Sequence, residues 1–553
     1  MTPDTWARRR GAVLAALAAL AFVVGLLAGA FHESAAKSAA RDFAQAWEDG
    51  DYGGMWRQLT AEAQGRVAPQ ELEVAYRDAM ATATATGVET GDVEESGDTV
   101  SVDVALETRV FGTVEGTLEL PMEADRVDWA EHLTFPGLDP GESLERTTRA
   151  PRRAKILARD GSTIAEGPAS ARTSPLGLGG TEIVGTVAAP ATEEERDALH
   201  ARGFEQDTPV GISGLERILE DQVAGKPGGR LVAGGRILAT AEPRRAAPVK
   251  TTIDVGVQQA VTTALAGRFG GIAALDARTA EVRGLAGIAF SAAQPPGSTF
   301  KIITATAALE RELVKPRTEF PIETYATIDG VQLENANGEA CGGDFVETFA
   351  HSCNSVFAPL GVRIGARELV ETAERYGFNA DPVLPGAAPS TLPAAEEIAS
   401  DLELGATAIG QGRVLATPLL LASMSQTIAS GGVLRTPTVV RGATRPAPVR
   451  VTSRRVAGRI ERMMVAVVNY GTGTAASLAP IGVAGKTGTA ELEDTTDEED
   501  IEQTPGTDTD AWFTAYAPVN KPELAVAVLL VRNGAGGETA APAARLVLDA
   551  ALD

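Results

Sequence analysis

The first feature along the chain is an unbroken apolar block. Residues 11–31 carry no charge and are rich in Ala, Leu and Val. As a helix this run is about 31 Å long, enough to cross the hydrocarbon core of a bilayer. Arg8, Arg9 and Arg10 stand before it. The positive-inside rule then makes residues 1–10 a cytoplasmic tail and sends everything after residue 31 outward, in a single pass. A cleaved signal peptide is the competing reading, because Ala28-Gly29-Ala30 has the small-residue pattern of a cleavage site. Both readings export the remainder of the chain. The pattern then changes to helical spacing: Phe43, Trp47, Tyr52, Met55 and Leu59 recur every three to five residues, with Gly50-Asp51 as a stop between two helices. Residues 71–80 predict another amphipathic helix. After them the period falls to two, with Val100, Val102 and Val104 alternating with polar residues and 110–120 continuing in strand-like composition. Helices followed by an antiparallel sheet predict an α+β domain over 38–138. It holds no evident catalytic pair and reads as a spacer or pedestal.

Residues 139–249 are rich in Gly, Pro and Arg. They predict a partly extended linker domain, with a turn at Asp160-Gly161 and short strands at Ile183-Val184 and Val187-Ala188. From residue 250 the composition is that of a large core. Strands are predicted at 271–275 and 281–286 around a turn at Asp276, and at 512–517 and 524–531 around Pro518 and Pro522. A helix over 538–552 closes the chain. Strand pairs at both ends with helices between them predict one mixed domain over 250–553. An acidic block at 491–510, with ten acidic residues and no basic one, interrupts it. Such a block self-repels and stays solvated. It reads either as a disordered insertion between two strands or as a mobile loop beside the active site.

At 553 residues, with 44% hydrophobic and 22% charged positions, the chain has globular values and room for three to four domains. A net charge of −25 opposes nucleic acid as a main partner. Four scattered histidines and two cysteines argue against a metal cage or a Ser-His-Asp triad, so no metal or cofactor is expected. Cys341 and Cys353 lie in an exported segment, where they form either a disulfide or two small buried thiols.

With only eight lysines in the chain, each one inside a motif carries information. Pro295-Pro296-Gly297-Ser298-Thr299-Phe300-Lys301 leads into an apolar helical run. Ser298 falls in the first turn, and Lys301, three residues on, shares its face. A hydroxyl becomes a nucleophile only with a base, and a lysine serves when burial or a second cation lowers its pKa. A second Ser-x-x-Lys, Ser34 to Lys37, has no such lead-in and reads as a solvated helix face. Ser352-Cys353-Asn354 offers a hydroxyl as proton relay and an amide as donor to substrate. Lys486-Thr487-Gly488-Thr489 sits in a strand-like stretch whose small residues admit a substrate backbone, and its ammonium and hydroxyls suit a carboxylate. Singly these motifs are weak or moderate; in this order they reinforce one another.

Ser298-x-x-Lys301, Ser352-x-Asn354 and Lys486-Thr487-Gly488 resemble the three motifs of the penicillin-binding protein and serine β-lactamase superfamily. Gly211-Ile212-Ser213-Gly214-Leu215-Glu216, Thr252-Ile253-Asp254 with Gln258, and Ile409-Gly410-Gln411-Gly412 before Thr417-Pro418 resemble the monofunctional, class B members. Residues 43–59, with Ala46-Trp47 and Gly50-Asp51-Tyr52, resemble the NTF2-like domain of the low-affinity, methicillin-resistance type. The resemblance implies a multidomain α+β protein. Behind one transmembrane anchor come an NTF2-like domain, a linker or dimerisation-like pedestal, and a transpeptidase domain of antiparallel sheet flanked by helices. It implies a peptidoglycan D,D-transpeptidase at the cell membrane, its catalytic domain on the extracytoplasmic side. Its partners would be stem peptides ending in D-Ala-D-Ala, amine acceptors, β-lactams and other cell-wall synthesis proteins. Ser298 would attack the penultimate carbonyl, Lys301 take its proton and Ser352 return one to the departing D-alanine. Asn354 would hold the peptide, and Lys486, Thr487, Gly488 and Thr489 the terminal carboxylate side. The backbone N–H groups of Ser298 and Thr489 would form the oxyanion hole. Hydrolytic rivals, a D,D-carboxypeptidase or β-lactamase, and a β-lactam sensor or scaffold without turnover share these motifs.

Overall fold

The computed structural model describes residues 33–491 and 509–552. The expected anchor at 11–31 lies outside these, as does most of the acidic block (492–508). Among the described residues no helix is long and apolar enough to cross a membrane. The chain divides into two compact units. Of the described residues, one takes 33–151, 189–208 and 225–245; the other takes 152–188, 209–224 and those from 246 onward. The stretch read as one linker domain, 139–249, is thus shared between them.

In the first unit, helices Ala35–Glu48, Tyr52–Arg57, Ala61–Arg66 and Pro69–Ala83 precede a four-stranded sheet. Its strands, Ala85–Ser96, Thr99–Thr108, Gly112–Glu123 and Arg126–Val127, follow chain order, and each pair is antiparallel. The alternation read at Val100, Val102 and Val104 buries those side chains against Phe43, Trp47 and Met55. The helix stop is chemical as well as steric: Asp51 caps Tyr52–Arg57, accepting the Gly54 N–H at 2.8 Å. Ser34 caps Ala35–Glu48 by accepting the Lys37 N–H at 3.0 Å. The hydroxyl of the first Ser-x-x-Lys therefore satisfies an orphan helix donor.

In the second unit a five-stranded antiparallel sheet runs in the order Val282–Gly287, Gly270–Asp276, Leu524–Leu530, Thr509–Ala517, Ala484–Glu491. Both faces are covered, and strand alternation sorts the side chains. Val526, Val528 and Leu530 join helices Val255–Leu265 and Ala540–Leu552 in one core. Ala525, Ala527 and Leu529 join helices Lys301–Glu310, Pro418–Ala429 and Arg454–Asn469 in the other. Asp254 caps Val255–Leu265, and Gln258 clips that helix to the sheet, donating to Leu285 O at 2.8 Å and accepting from Leu285 N at 3.0 Å. Ile183 and Val184 correct the sequence reading: they end a helix, Gly177–Val184, rather than forming a strand. A two-residue apolar piece carries no period, so the pattern could not separate the alternatives. Val187–Ala188 is a strand, paired with Val210–Gly211.

Glu216, from the Gly211–Glu216 motif, is fully buried in this unit. Arg153 donates to it through Nε (3.0 Å) and Nη2 (2.7 Å), and Arg172 through Nε (2.7 Å). Glu220 accepts from Nη1 (3.2 Å) and Nη2 (2.7 Å) of Arg153 and from the Gly211 N–H at 2.7 Å. The motif is therefore a brace, in which two guanidinium groups neutralise the carboxylate that ties these loops together.

Candidate active site

Ser298 lies in a single 3-10 turn, Gly297–Phe300, that leads into the helix Lys301–Glu310. Three contacts fix this turn. Gly297 N donates to Gly410 O at 3.0 Å, and Trp512 Nε1, from the neighbouring strand, donates to Pro295 O at 2.8 Å. The third contact is steric. Gly297 has φ +50°, and a Cβ there would stand 2.4 Å from Thr489 O; a Cβ on Gly488 would stand 2.6 Å from Pro296 O. Only glycines let the Ser298 turn and the Lys486 strand approach so closely. Two stretches nearly two hundred positions apart thus meet. Ala484–Glu491 is the edge strand of the sheet, so one side of its backbone is free to receive an extended peptide.

Ser352 sits between helices Phe345–Ala350 and Asn354–Ile364, at φ +61°. That conformation is rare for a residue with a Cβ and persists where the surroundings impose it. Here a disulfide between Cys341 and Cys353 anchors the adjacent residue, and Cys353 N donates to Thr348 O at 2.9 Å. The strained turn places Ser352 Oγ between two amines, 3.2 Å from Lys301 Nζ and 2.9 Å from Lys486 Nζ. Both lysines are fully buried. Lys301 Nζ also donates to Ser352 O at 2.7 Å and Asn354 Oδ1 at 2.6 Å, and it lies over the Phe357 ring. Lys486 Nζ donates to Thr487 O at 3.1 Å and lies over the Phe349 ring.

Burial, and then the charge of Lys486, hold the Lys301 amine well below the usual lysine value. Burial brings Lys486 down to about 7. Among the described residues no carboxylate pairs with either amine, so two desolvated amines face one hydroxyl. A neutral Lys301 has two N–H groups and one lone pair. Its two N–H groups are taken by Ser352 O and Asn354 Oδ1, which leaves the lone pair to accept a proton. Ser298, one turn earlier and half-buried, is open to an incoming ligand. The arrangement can activate a serine without a histidine and pass a proton through Ser352.

The residues read from the sequence as the site, Ser298, Lys301, Ser352, Asn354, Lys486, Thr487, Gly488 and Thr489, lie in this neighbourhood; the first Ser-x-x-Lys caps a helix of the other unit. Asn354 does more than the sequence suggested. Its amide is strung between Lys301 and Glu334 O, to which Nδ2 donates at 2.7 Å, so it fixes the position of the Lys301 amine. Sequence reasoning passed over Gly410 as a brace, the two phenylalanine faces, and Thr472, whose Oγ1 lies 2.6 Å from Thr487 Oγ1. Only Gly410, inside a noted motif, carried any signal. Among the described residues no group of His, Cys, Asp or Glu is gathered to hold a metal.

Residues 160–248 match the penicillin-binding protein dimerisation domain. The chain is 36% identical over 296 residues to the peptidoglycan D,D-transpeptidase PbpA of Mycobacterium tuberculosis, covering 48% of this chain and 56% of that protein. It is 26% identical over 416 residues to the peptidoglycan D,D-transpeptidase MrdA of Haemophilus influenzae, covering 62% of each. The chain thus spans little more than half the length of these curated relatives. Among solved structures, PBPA from M. tuberculosis superposes with a TM-score of 0.57 at 26% identity, covering 73% of this chain and 99% of that one. Its ceftriaxone acyl-enzyme complex gives 0.58 at 25%, covering 73% and 98%. Residues 270–549, just over half the chain and the stretch that carries Ser298, Ser352 and Lys486, match the penicillin binding protein transpeptidase domain, and the chain belongs to that family.

Proposed function

We propose that this protein is a peptidoglycan D,D-transpeptidase that cross-links stem peptides through an acyl-serine intermediate and is covalently inhibited by β-lactams. The observation that carries the reading is the pair of buried lysines on Ser352, one turn from Ser298. A neutral Lys301 takes the Ser298 proton as Oγ attacks the penultimate carbonyl of D-Ala-D-Ala. The N–H groups of Ser298 and Thr489 receive the oxyanion, each such donor contributing a few kcal/mol in the transition state. As the intermediate collapses, the C–N bond breaks and the leaving D-alanine nitrogen gains a proton from Ser352, which Lys301 or Lys486 replaces. The amine of a neighbouring stem peptide then attacks the ester carbonyl, Ser298 leaves with a proton, and a new amide links two strands. Asn354 holds the donor peptide, while Lys486, Thr487 and Thr489 hold its free carboxylate beside Gly488.

The finer domain reading is part of the proposal. Four helices followed by an antiparallel sheet support an NTF2-like domain at 38–138. The dimerisation-domain match supports a pedestal at 139–249, ahead of the transpeptidase domain at 250–553. The apolar run at 11–31 supports a single membrane anchor that holds the catalytic unit outside, near other cell-wall synthesis proteins. The test is incubation of the full chain with a D-Ala-D-Ala stem peptide and an added amine. Formation of the amide-linked product by wild type, and its loss in Ser298→Ala, supports the reading. Release of D-alanine with water as the only acceptor would make the protein a carboxypeptidase instead.

A further inference from the structure

Thr472 belongs to no motif, yet it is wedged between two parts of the site. Its N–H donates to Ala350 O at 3.1 Å, next to the Ser352 turn. Its Oγ1 lies 2.6 Å from Thr487 Oγ1 on the Lys486 strand and 3.4 Å from Ala350 O. The turn has little freedom: a Cβ on Gly471 would stand 2.3 Å from Ala350 O, and one on Gly537 would stand 2.3 Å from Thr472 O.

Proton counting gives this contact a consequence. In a hydroxyl pair only one member donates to the other. If Thr487 donates to Thr472, it turns only lone pairs toward the groove, and those repel a carboxylate. If Thr472 donates to Thr487, the Thr487 proton is free for a carboxylate oxygen, and the chain of two hydroxyl bonds polarises that donor. The Thr472 proton has an alternative resting place on Ala350 O, so both arrangements are available to the ligand-free protein. An arriving carboxylate selects the second.

We propose that Thr472 is a positioning residue that aims the Thr487 hydroxyl and thereby sets the preference of the site for ligands with a free carboxylate. The inference rests on the transpeptidase reading, in which Thr487 faces that carboxylate. Its test is the acylation rate constant of the full chain with benzylpenicillin and with benzylpenicillin methyl ester, which lacks the anion. Thr472→Val is expected to slow the acid about tenfold and leave the ester within about twofold, so the acid-to-ester preference collapses. Thr472→Ser, which restores the hydroxyl, is expected to restore the preference. Acid and ester slowing together, or a preference unchanged in Thr472→Val, overturns the proposal; Thr472→Ala gives the same reading if the valine variant does not fold. Ser298→Ala keeps the two inferences apart. Acylation that survives it refutes the transpeptidase reading itself, whereas its loss with an unchanged preference in Thr472→Val refutes only the role of Thr472.

Discussion

Replacing Lys486 by methionine should stabilise the protein at low pH while abolishing its chemistry. Methionine keeps most of the buried stem and removes the ammonium. The amine is fully buried and held at about 7 instead of the usual 10.5. That displacement corresponds to about 5 kcal/mol between its charged and neutral forms. The sign follows from proton counting. Between about 7 and 10.5 the unfolded chain binds the proton and the folded chain does not, so stability rises with pH across that window. Below about 7 the folded protein carries the full penalty of a buried charge; above 10.5 it carries none. The substitution also forfeits the bonds to Ser352 Oγ and Thr487 O, about 1 kcal/mol each. Lys486→Met should therefore be about 3 kcal/mol more stable than wild type at pH 6, with the advantage gone by pH 10. Urea unfolding followed by circular dichroism, pH by pH, measures it. A difference that does not change with pH, or a variant less stable at pH 6, would refute the claim that this lysine is held against its own solvation.

Three further outcomes follow from the same geometry. The second-order acylation rate by benzylpenicillin should be bell-shaped in pH: it rises as the pair loses its first proton, which frees Lys301 as base, and falls above about 7 as Lys486 loses the charge that attracts the carboxylate. A stopped-flow profile flat from pH 5 to 9 contradicts this. Glu216→Ala should cost about 3 kcal/mol, because Arg172 loses the carboxylate that neutralises it and Arg153 is left with Glu220; calorimetry of the intact protein would show it, and a change under about 1 kcal/mol would mean the loops relax around the loss. Cys341→Ser with Cys353→Ser opens a twelve-residue loop, costing about 3 kcal/mol by chain entropy, and should slow acylation because Cys353 lies between Ser352 and Asn354. Unchanged acylation would show that the helix contacts alone hold the Ser352 turn.

The chemistry was legible where function demands short covalent spacing. Ser298 and Lys301 must share one helical turn, and Ser352 with Asn354 must share one loop, so local sequence displays both pairs. Lys486 was legible because a lone lysine among small residues in a strand is unusual in a chain so poor in lysine. Partners reached through the fold were not visible. Thr472 is fifteen residues from Thr487, and Phe349 and Phe357 read as ordinary core until their faces are seen under the two amines. The strand Ala85–Ser96 escaped notice because it is solvated and mostly polar. Residues 139–249 looked like one piece because composition is averaged along the chain, whereas compactness depends on which distant residues each loop meets.

In the proposed mechanism one activated serine carries the acyl group. Its most direct test is intact mass and peptide mapping after incubation with benzylpenicillin. A single long-lived adduct is expected on the peptide containing Ser298, absent in Ser298→Ala and strongly slowed in Lys301→Met. An adduct on another residue, or none, would contradict it.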